Sequence, residues 1–426
     1  MSLGTSFQSF CKEIQFVDNK VSVSCKEITK KLNKHYYDLA SEEKEHSFVV
    51  GSIGRGTAVK NTSDVDIIFQ LPNSVFQKYD SYESNGQSAL LQEIKTILQE
   101  RYPNTDIKGD GQVVVIDFDL YTIELVPAFL QMNNTFKHPD THDGGSWKTT
   151  DPLSEQEAAQ KCDEAASGCY RNICRLIRVW KNERGLLFGG LLIDSLVYKV
   201  FCEKEFYTDC TYSDYYTILI DVFEYFSRLV ADQQYWFALG SNQKVYSKNN
   251  SFIKAAKNSC EDLKKAESDS DKESTLVKLF GNTFPHENQR TYDCEIDTEE
   301  FVDNIFPVDI KFNLEIDCIV SQDGFRDFSL RKQMAMGKYT LRHNKHLSFS
   351  IIESTVPESY DIYWKVRNVG PIAVQKRMIR GQIVKTNKKV HIEHSSFQGP
   401  HFVECFIVKN GICVARDRIE VPIGSC

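Results

Sequence analysis

Two aspartates stand two residues apart in the segment Ser63-Asp64-Val65-Asp66-Ile67. On an extended strand, side chains at that spacing project from the same face. Like charges held so close repel, and a divalent cation is the usual reason to place them together. Carboxylate oxygens suit Mg²⁺ or Mn²⁺, which also bind substrate phosphates. Upstream, Gly51-Ser52-Ile53-Gly54-Arg55-Gly56-Thr57 places Ser52 twelve residues before Asp64. A glycine lets the backbone approach a phosphate closely, free amides at a helix start favour an anion, and the Ser52 hydroxyl adds a hydrogen bond to the same triphosphate. A third carboxylate is expected from a neighbouring strand, with Asp117, Asp119 and Glu124 as candidates. Glu124 lies inside the apolar run Ile123-Glu124-Leu125-Val126, where a bare acid is costly unless it binds a metal or a cation. Asp117 and Asp119 fall at or near a turn, where acids are ordinary, so Glu124 is favoured. The chemistry implied is metal-assisted transfer on a nucleoside triphosphate: Asp64, Asp66 and Glu124 hold the ions, and Gly51 with Ser52 holds the phosphates.

The elements that must position these groups can be read from periodicity. Residues 19–42 form an amphipathic helix, with Val21, Cys25, Ile28, Leu32 and Tyr36 at helical spacing. Phe48–Val50 and Val65–Leu71 read as strands, Ser88–Gln99 as a helix, and Val113–Phe118 and Tyr121–Val126 as further strands, the last stopped by Pro127. From Ser154 to about Leu279 the pattern is helical, with helices around Cys174–Trp180, Leu191–Phe201 and Tyr216–Leu229; Lys264–Lys272 reads as a surface loop or helix end. Gly281–Ile305 reads as a passage. After Pro307 the period becomes two, through Lys311–Val320, Leu347–Ile352, Tyr360–Val366, Val390–Ser395, Phe402–Val408 and Cys413–Val421. The last two flank Asn410-Gly411, a hairpin signal. The expected fold is α+β: a catalytic head with a small mixed sheet at 1–153, a helical lobe and linker at 154–306, and an all-β domain at 307–426.

Composition sets outer bounds. The 426 residues are 41% hydrophobic and 26% charged, near globular averages, which argues against wholesale disorder. No apolar run approaches the ~18 residues of a membrane span, and residues 1–30 lack a signal-peptide pattern, so a soluble, cytoplasmic protein without membrane contact is expected. Thirteen cysteines without a C-x-x-C fit reduced, mostly buried thiols. Residues 308–426 carry 18 Lys and Arg against 12 Asp and Glu, a net +6, and the remainder carries −14. An acidic body argues against nonspecific coating of DNA.

Taken in order, G-S-x-x-R-G-T, then S-D-V-D-I, then an acid three residues before Pro-Ala resemble the polymerase-β-like nucleotidyltransferase superfamily. Within it the chain is most similar to the cGAS/DncV-like nucleotidyltransferases (CD-NTases) of bacterial anti-phage signalling. The further similarities are Trp147 with Asp151-Pro152, Leu176–Lys181, Gly189–Tyr198 and Phe280–Pro285, so the resemblance runs from about residue 19 to 285. Where many relatives carry aspartate as the third acid, this chain has Glu124; both ligate Mg²⁺. The resemblance implies a synthase that joins nucleoside triphosphates, ATP among them, into a cyclic di- or trinucleotide messenger. Pyrophosphate is released, and the product acts on a downstream effector. It also implies that Lys181 meets the donor triphosphate, the alternative being a solvent-facing lysine after a buried Trp180, and that Ser195 adds a second phosphate contact. Arg55 is open between phosphate and loop, and Tyr198 is the candidate to stack on the donor base.

In the β domain, Trp364-Lys365-Val366-Arg367-Asn368-Val369-Gly370, Arg380-Gly381 and Phe397-Gln398-Gly399-Pro400-His401 resemble the adenylyl/guanylyl and SMODS C-terminal sensor domain. Arg367, Lys376, Arg377 and Arg380 favour an anionic ligand there, a nucleotide or nucleic acid. Trp364 reads as core and His401 as a satisfied hydrogen-bonding residue, while His391 and His394 face opposite sides of a strand, unlike a metal pair. The competing functions are a linear oligonucleotide synthase, a single-nucleotide transferase acting on RNA or protein, and a non-catalytic nucleotide or ligand sensor. Three intact carboxylates count against the last.

Overall fold

The computed structural model describes the chain except residues 1, 18–20, 61, 119–120, 204–206, 248, 282, 286–298, 323, 325, 338–339, 342–344, 369–379, 396–398 and 425–426. Asp119, Lys376 and Arg377 therefore lie outside the described residues, as do Asn282, Val369, Gly370, Phe397 and Gln398 of the motifs above. The chain forms two compact units, Ser2–Arg178 with Phe188–Asp269, and Val179–Leu187 with Ser270–Cys426. Among the described residues no helix is long and apolar enough to cross a membrane.

The first unit opens with α1 (Leu3–Glu13), α2 (Val21–Tyr37), β1 (Ser47–Val49), α3 (Gly51–Gly54) and β2 (Asp64–Gln70). Next come α4 (Asn73–Asp80), α5 (Gly86–Gln99), β3 (Asp106–Asp110), β4 (Val113–Asp117), β5 (Thr122–Leu130), β6 (Phe136–Asp140) and β7 (Ser146–Thr150). The strands form one mixed sheet in the order β1-β2-β5-β4-β3, with β6 on β5 and β7 on β6; β2 and β5 run parallel. Val65, Ile67 and Phe69 of β2, with Ile123 and Leu125 of β5, pack in one core with the apolar faces of α2 and α5. Period two then turns the intervening residues of both strands to the opposite face.

Two boundaries differ from expectation for local reasons. The α2 helix ends at Tyr37 rather than 42, because Asp38 adopts a left-handed φ of 58° and the Leu39 amide closes back on the Asn33 carbonyl. Pro127 does not stop β5, which continues to Leu130. Odd-numbered residues of β5 turn their backbone groups towards β4, and β4 has no partner beyond Leu125, so no ladder bond is lost at the proline.

The chain continues into α6 (Pro152–Ala165), α7 (Cys169–Glu183), α8 (Gly190–Glu203) and α9 (Tyr215–Ser227). A short hairpin of β8 (Tyr235–Phe237) and β9 (Lys244–Tyr246), a pair the helical pattern did not announce, precedes α10 (Ser251–Lys265). Asp151 caps α6 by accepting the Ser154 amide, with Pro152 in the first turn, where its missing N–H is harmless.

In the second unit come α11 (Asp269–Phe280), α12 (Val302–Ile305), β10 (Leu314–Ser321), β11 (Phe328–Ser329) and α13 (Leu330–Ala335). The remaining strands are β12 (His346–Ser354), β13 (Asp361–Asn368), β14 (Ile383–Lys385), β15 (Val390–His394), β16 (Gly399–Lys409) and β17 (Ile412–Ile423). They form two four-stranded antiparallel sheets, β11-β10-β12-β15 and β14-β13-β16-β17, whose inner faces share one apolar core. The β16–β17 hairpin turns at Asn410 and Gly411, both with positive φ, as a two-residue turn requires. Trp364 is buried in the core and donates its indole N–H to the Lys388 carbonyl at 2.9 Å.

Candidate active site

Register decides which acids meet. In the parallel β2–β5 pair, Asp66 is level with Glu124 and Asp64 with Thr122. Neighbouring strands are ~4.8 Å apart, so Asp66 and Glu124 are adjacent on the face that Asp64 shares. Asp117 sits beyond Thr122 on the next strand, and its carboxylate accepts the Thr122 hydroxyl at 3.1 Å. All three of Asp64, Asp66 and Glu124 are half-buried, between neighbours Val65, Ile67, Ile123 and Leu125 that are fully buried.

Gly51 belongs to the same place. Its φ is +64°, and a Cβ built on it would lie 1.7 Å from Asp66 Oδ2. The absent side chain is therefore the space into which the Asp66 carboxylate projects. The Val50 amide donates to the Asp66 carbonyl at 2.8 Å, tying the start of the turn to the acid strand. Among the described residues no three acid, His or Cys side chains converge on one point as a closed metal cage. An open set of hard oxygen donors nevertheless fits Mg²⁺, which usually takes one or two carboxylates and completes its shell with water and substrate phosphates.

The rest of the loop is fixed from beneath by a polar network. Asp194 of α8 is fully buried and accepts from Arg55 Nε at 2.8 Å, Thr57 Oγ1 at 2.8 Å, and Arg178 Nη1 and Nη2 at 2.6 and 2.9 Å. Burial pushes the Asp194 carboxyl up, but Arg178 and Arg55 outweigh it and hold the group below the usual carboxylate range. Glu155 of α6 accepts Arg55 Nη1 at 3.2 Å, and its carboxyl is raised by burial against the pull of Arg55. Further along the loop, Arg171 Nε binds the Arg55 carbonyl at 2.9 Å, and Arg175 Nη2 binds the Gly56 carbonyl at 2.7 Å. The loop closes on itself where the Thr57 amide reaches the Ser52 carbonyl at 2.8 Å. Arg55 is thus a scaffold residue of the loop.

The sequence reading missed Asp194, Glu155, Arg171, Arg175 and Arg178. The signal for Asp194 was present, since it is a bare acid in the apolar run Leu191-Leu192-Ile193-Asp194, the same anomaly that singled out Glu124.

Two residues expected to contact the nucleotide bond to other parts of the protein. Ser195 is 1% exposed; its hydroxyl donates to the Leu191 carbonyl at 2.7 Å and accepts the Leu239 amide at 3.2 Å. Those bonds make it a brace between α8 and the loop after β8. Lys181, half-buried, donates to the Ile310 carbonyl at 2.6 Å within the second unit. Tyr198 packs edge-on against buried Tyr170, ring centroids 6.4 Å apart. The described cysteines are free, and burial pushes the thiols of Cys11 and Cys162 up to about 12, which makes them inert.

In the β unit the two described residues of the expected basic set are paired with carboxylates. Arg367 pairs with Glu299 at 2.8 Å, and Arg380 forms a two-pronged pair with Glu393 at 2.9 and 3.0 Å. This removes from both the charge that an anionic ligand was expected to use. His401 is bonded to Asn368 at 3.0 Å, and His391 to Glu393 at 2.9 Å.

Comparison with known proteins finds two matching domains and structures of similar fold. Residues 1–163 match the Second Messenger Oligonucleotide or Dinucleotide Synthetase domain, and residues 296–424 match the Adenylyl/Guanylyl and SMODS C-terminal sensor domain. A probable cyclic nucleotide synthase of Bacillus cereus (strain VD146) is 23% identical over 164 residues. The match covers 36% of this chain and 49%, about half, of that protein's length. Two structures of CdnC from E. coli MS115-1, one with ATP and one as a HORMA-deltaN complex, superpose with TM-scores of 0.51 and 0.50. Each is 17% identical and covers 66% of this chain and 98% of its own, a likeness of fold. The chain therefore carries a Second Messenger Oligonucleotide or Dinucleotide Synthetase domain followed by the sensor domain, on a fold similar to that of CdnC.

Proposed function

We propose that this protein is a nucleotidyltransferase that joins nucleoside triphosphates, ATP among them, into a cyclic di- or trinucleotide messenger for anti-phage signalling, with release of pyrophosphate. The observation that carries the reading is the register of β2 on β5, which sets Glu124 beside Asp66 with Asp64 on the same face and the side-chain-free Gly51 against the Asp66 carboxylate. Such a set repels a bare triphosphate, so the reaction is expected to need Mg²⁺ or Mn²⁺. A divalent cation held by these carboxylates supplies charge neutralisation of the triphosphate and of the leaving pyrophosphate.

The residues of the chain then have separate tasks. Ser52 and the turn after Gly51 hold the phosphates. Asp64, Asp66 and Glu124 fix the cation side of the site. Arg55, Thr57 and Asp194 keep the loop in one conformation, so that the donor meets the attacking hydroxyl already oriented. In each transfer a hydroxyl of one nucleotide forms a bond to the α-phosphorus of another, the bond to pyrophosphate breaks, and the hydroxyl proton is lost to base. The last transfer, within the linear intermediate, closes the ring, so that one pyrophosphate leaves for each nucleotide incorporated.

The test is incubation of the full chain with the four triphosphates and Mg²⁺, followed by chromatography before and after phosphatase. A phosphatase-resistant product with matching pyrophosphate supports a cyclic synthase. A phosphatase-sensitive oligomer, or nucleotide transferred only onto added RNA or protein, overturns it.

A further inference from the structure

At one end of the β unit a pocket of about 190 Å³ opens between the two sheets. Phe349 of β12, Val366 of β13, Val403 of β16 and Val421 of β17 give it apolar walls. Asn368, Arg380, Glu393 and His401 bring polar groups to the same space. A sandwich end built for packing alone would be closed by apolar side chains, as the core around Trp364 is. Here polar pairs, Arg380 with Glu393 and Asn368 with His401, stand beside the apolar walls.

Size and charge restrict the occupant. The pocket is slightly larger than the ~150 Å³ cavity known to take up benzene, and well below the ~300 Å³ at which drug-sized sites begin. That volume takes one or two rings, and a whole triphosphate or cyclic dinucleotide would extend beyond it. The guanidinium of Arg380 is matched by both oxygens of Glu393, and Glu393 is bonded again to His391, so the wall offers no net positive charge to an anion. Asn368 and His401, each 7% exposed, are locked together at 3.0 Å. Carboxamide and imidazole between them carry both donors and acceptors, the pattern that reads the edge of a heterocycle.

We propose that this pocket binds an uncharged planar heterocycle of one or two rings, with the size and hydrogen-bonding character of a free nucleobase. The site is separate from the transfer chemistry, and the test keeps the two apart. Adenine is titrated calorimetrically into the full chain with excess ATP present, with benzoate and inorganic phosphate as charged controls. One adenine site that ATP does not displace, and no binding of either anion, is the expected result. Val366→Phe fills the pocket and should abolish that binding while nucleotide transfer continues at its usual rate. Asn368→Leu removes a polar contact and should weaken adenine about tenfold; it decides the matter if Val366→Phe does not melt cooperatively. No adenine binding at millimolar concentration, displacement by ATP, preference for benzoate or phosphate, or binding untouched by the variants would overturn the proposal.

Discussion

Replacing Asp194 by asparagine keeps its volume and removes its charge, and the structure says what that must do. The carboxylate accepts three bonds from two guanidinium groups and one from Thr57, at 2.6 to 2.9 Å, with no exposure to water. Arg55, Arg178, Glu155 and Asp194 together are neutral; the variant leaves one positive charge uncompensated in the interior. Breaking a buried pair in this way costs about 3–5 kcal/mol. A unit of this size shifts by ~2–4 °C per kcal/mol, so the first melting transition should fall by roughly 6–20 °C. Because Arg55 and Thr57 also hold the loop that carries Ser52, the KM for ATP should rise in protein still folded at the assay temperature. The double variant Arg55→Met/Asp194→Asn should be less destabilised than the sum of the two single variants by about 2 kcal/mol, since it removes one of the stranded charges. Calorimetry on the four proteins reads this directly. Additive effects, or an Asp194→Asn protein melting with the wild type, would refute the role given to the network.

Other consequences follow from single contacts. Gly51→Val places a β-branched side chain at a left-handed φ and within the Asp66 carboxylate, so turnover should collapse by orders of magnitude while the melt falls only modestly; an active Gly51→Val enzyme would detach the glycine from the acid. Ser195→Ala strands the buried Leu239 amide and should lower stability by about 1–3 kcal/mol with KM for ATP unchanged; a raised KM with an unchanged melt would return Ser195 to the nucleotide. Asp303 is pushed up to about 8 by burial and by the nearby Glu183, against the pull of Arg416, from an ordinary 3.8. Between those values the folded state holds a proton that the unfolded state has lost, so stability is fullest below 3.8 and declines, by at most about 1.4 kcal/mol per pH unit, until the folded group ionises near 8. The second unit should therefore melt lower at pH 8 than at pH 6, and Asp303→Asn should flatten the slope; an unchanged slope would contradict this.

Much of the acid strand was legible because its signals are local. Alternation placed Asp64 and Asp66 on one face, and an acid in an apolar strand singled out Glu124. Asn410-Gly411 announced its hairpin. What sequence could not supply was the register that sets Glu124 rather than Asp117 beside Asp66, since pairing between β2 and β5 joins residues nearly sixty positions apart. Nor could it supply the destination of long polar side chains. Arg55 finds Asp194 across 139 residues, and Arg367 and Arg380 find carboxylates that cancel their charge. Four basic residues suggested an anionic ligand, and sequence alone does not show that two of them, Arg367 and Arg380, meet carboxylates. The strand through Pro127 was hidden for a related reason, as the penalty for a proline depends on whether a neighbouring strand needs its N–H.

One comparison tests the β2 carboxylates as the catalytic centre most directly. Full-length wild type and Asp64→Asn/Asp66→Asn protein are incubated with all four nucleoside triphosphates and Mg²⁺, with pyrophosphate and oligonucleotide product followed in time. The wild type is predicted to release pyrophosphate in step with a cyclic product. The variant should melt like the wild type and be slower by on the order of 10³-fold or more, the loss of several kcal/mol of transition-state stabilisation. Product formed by the variant at near wild-type rate would contradict the assignment of the β2 carboxylates as the catalytic centre.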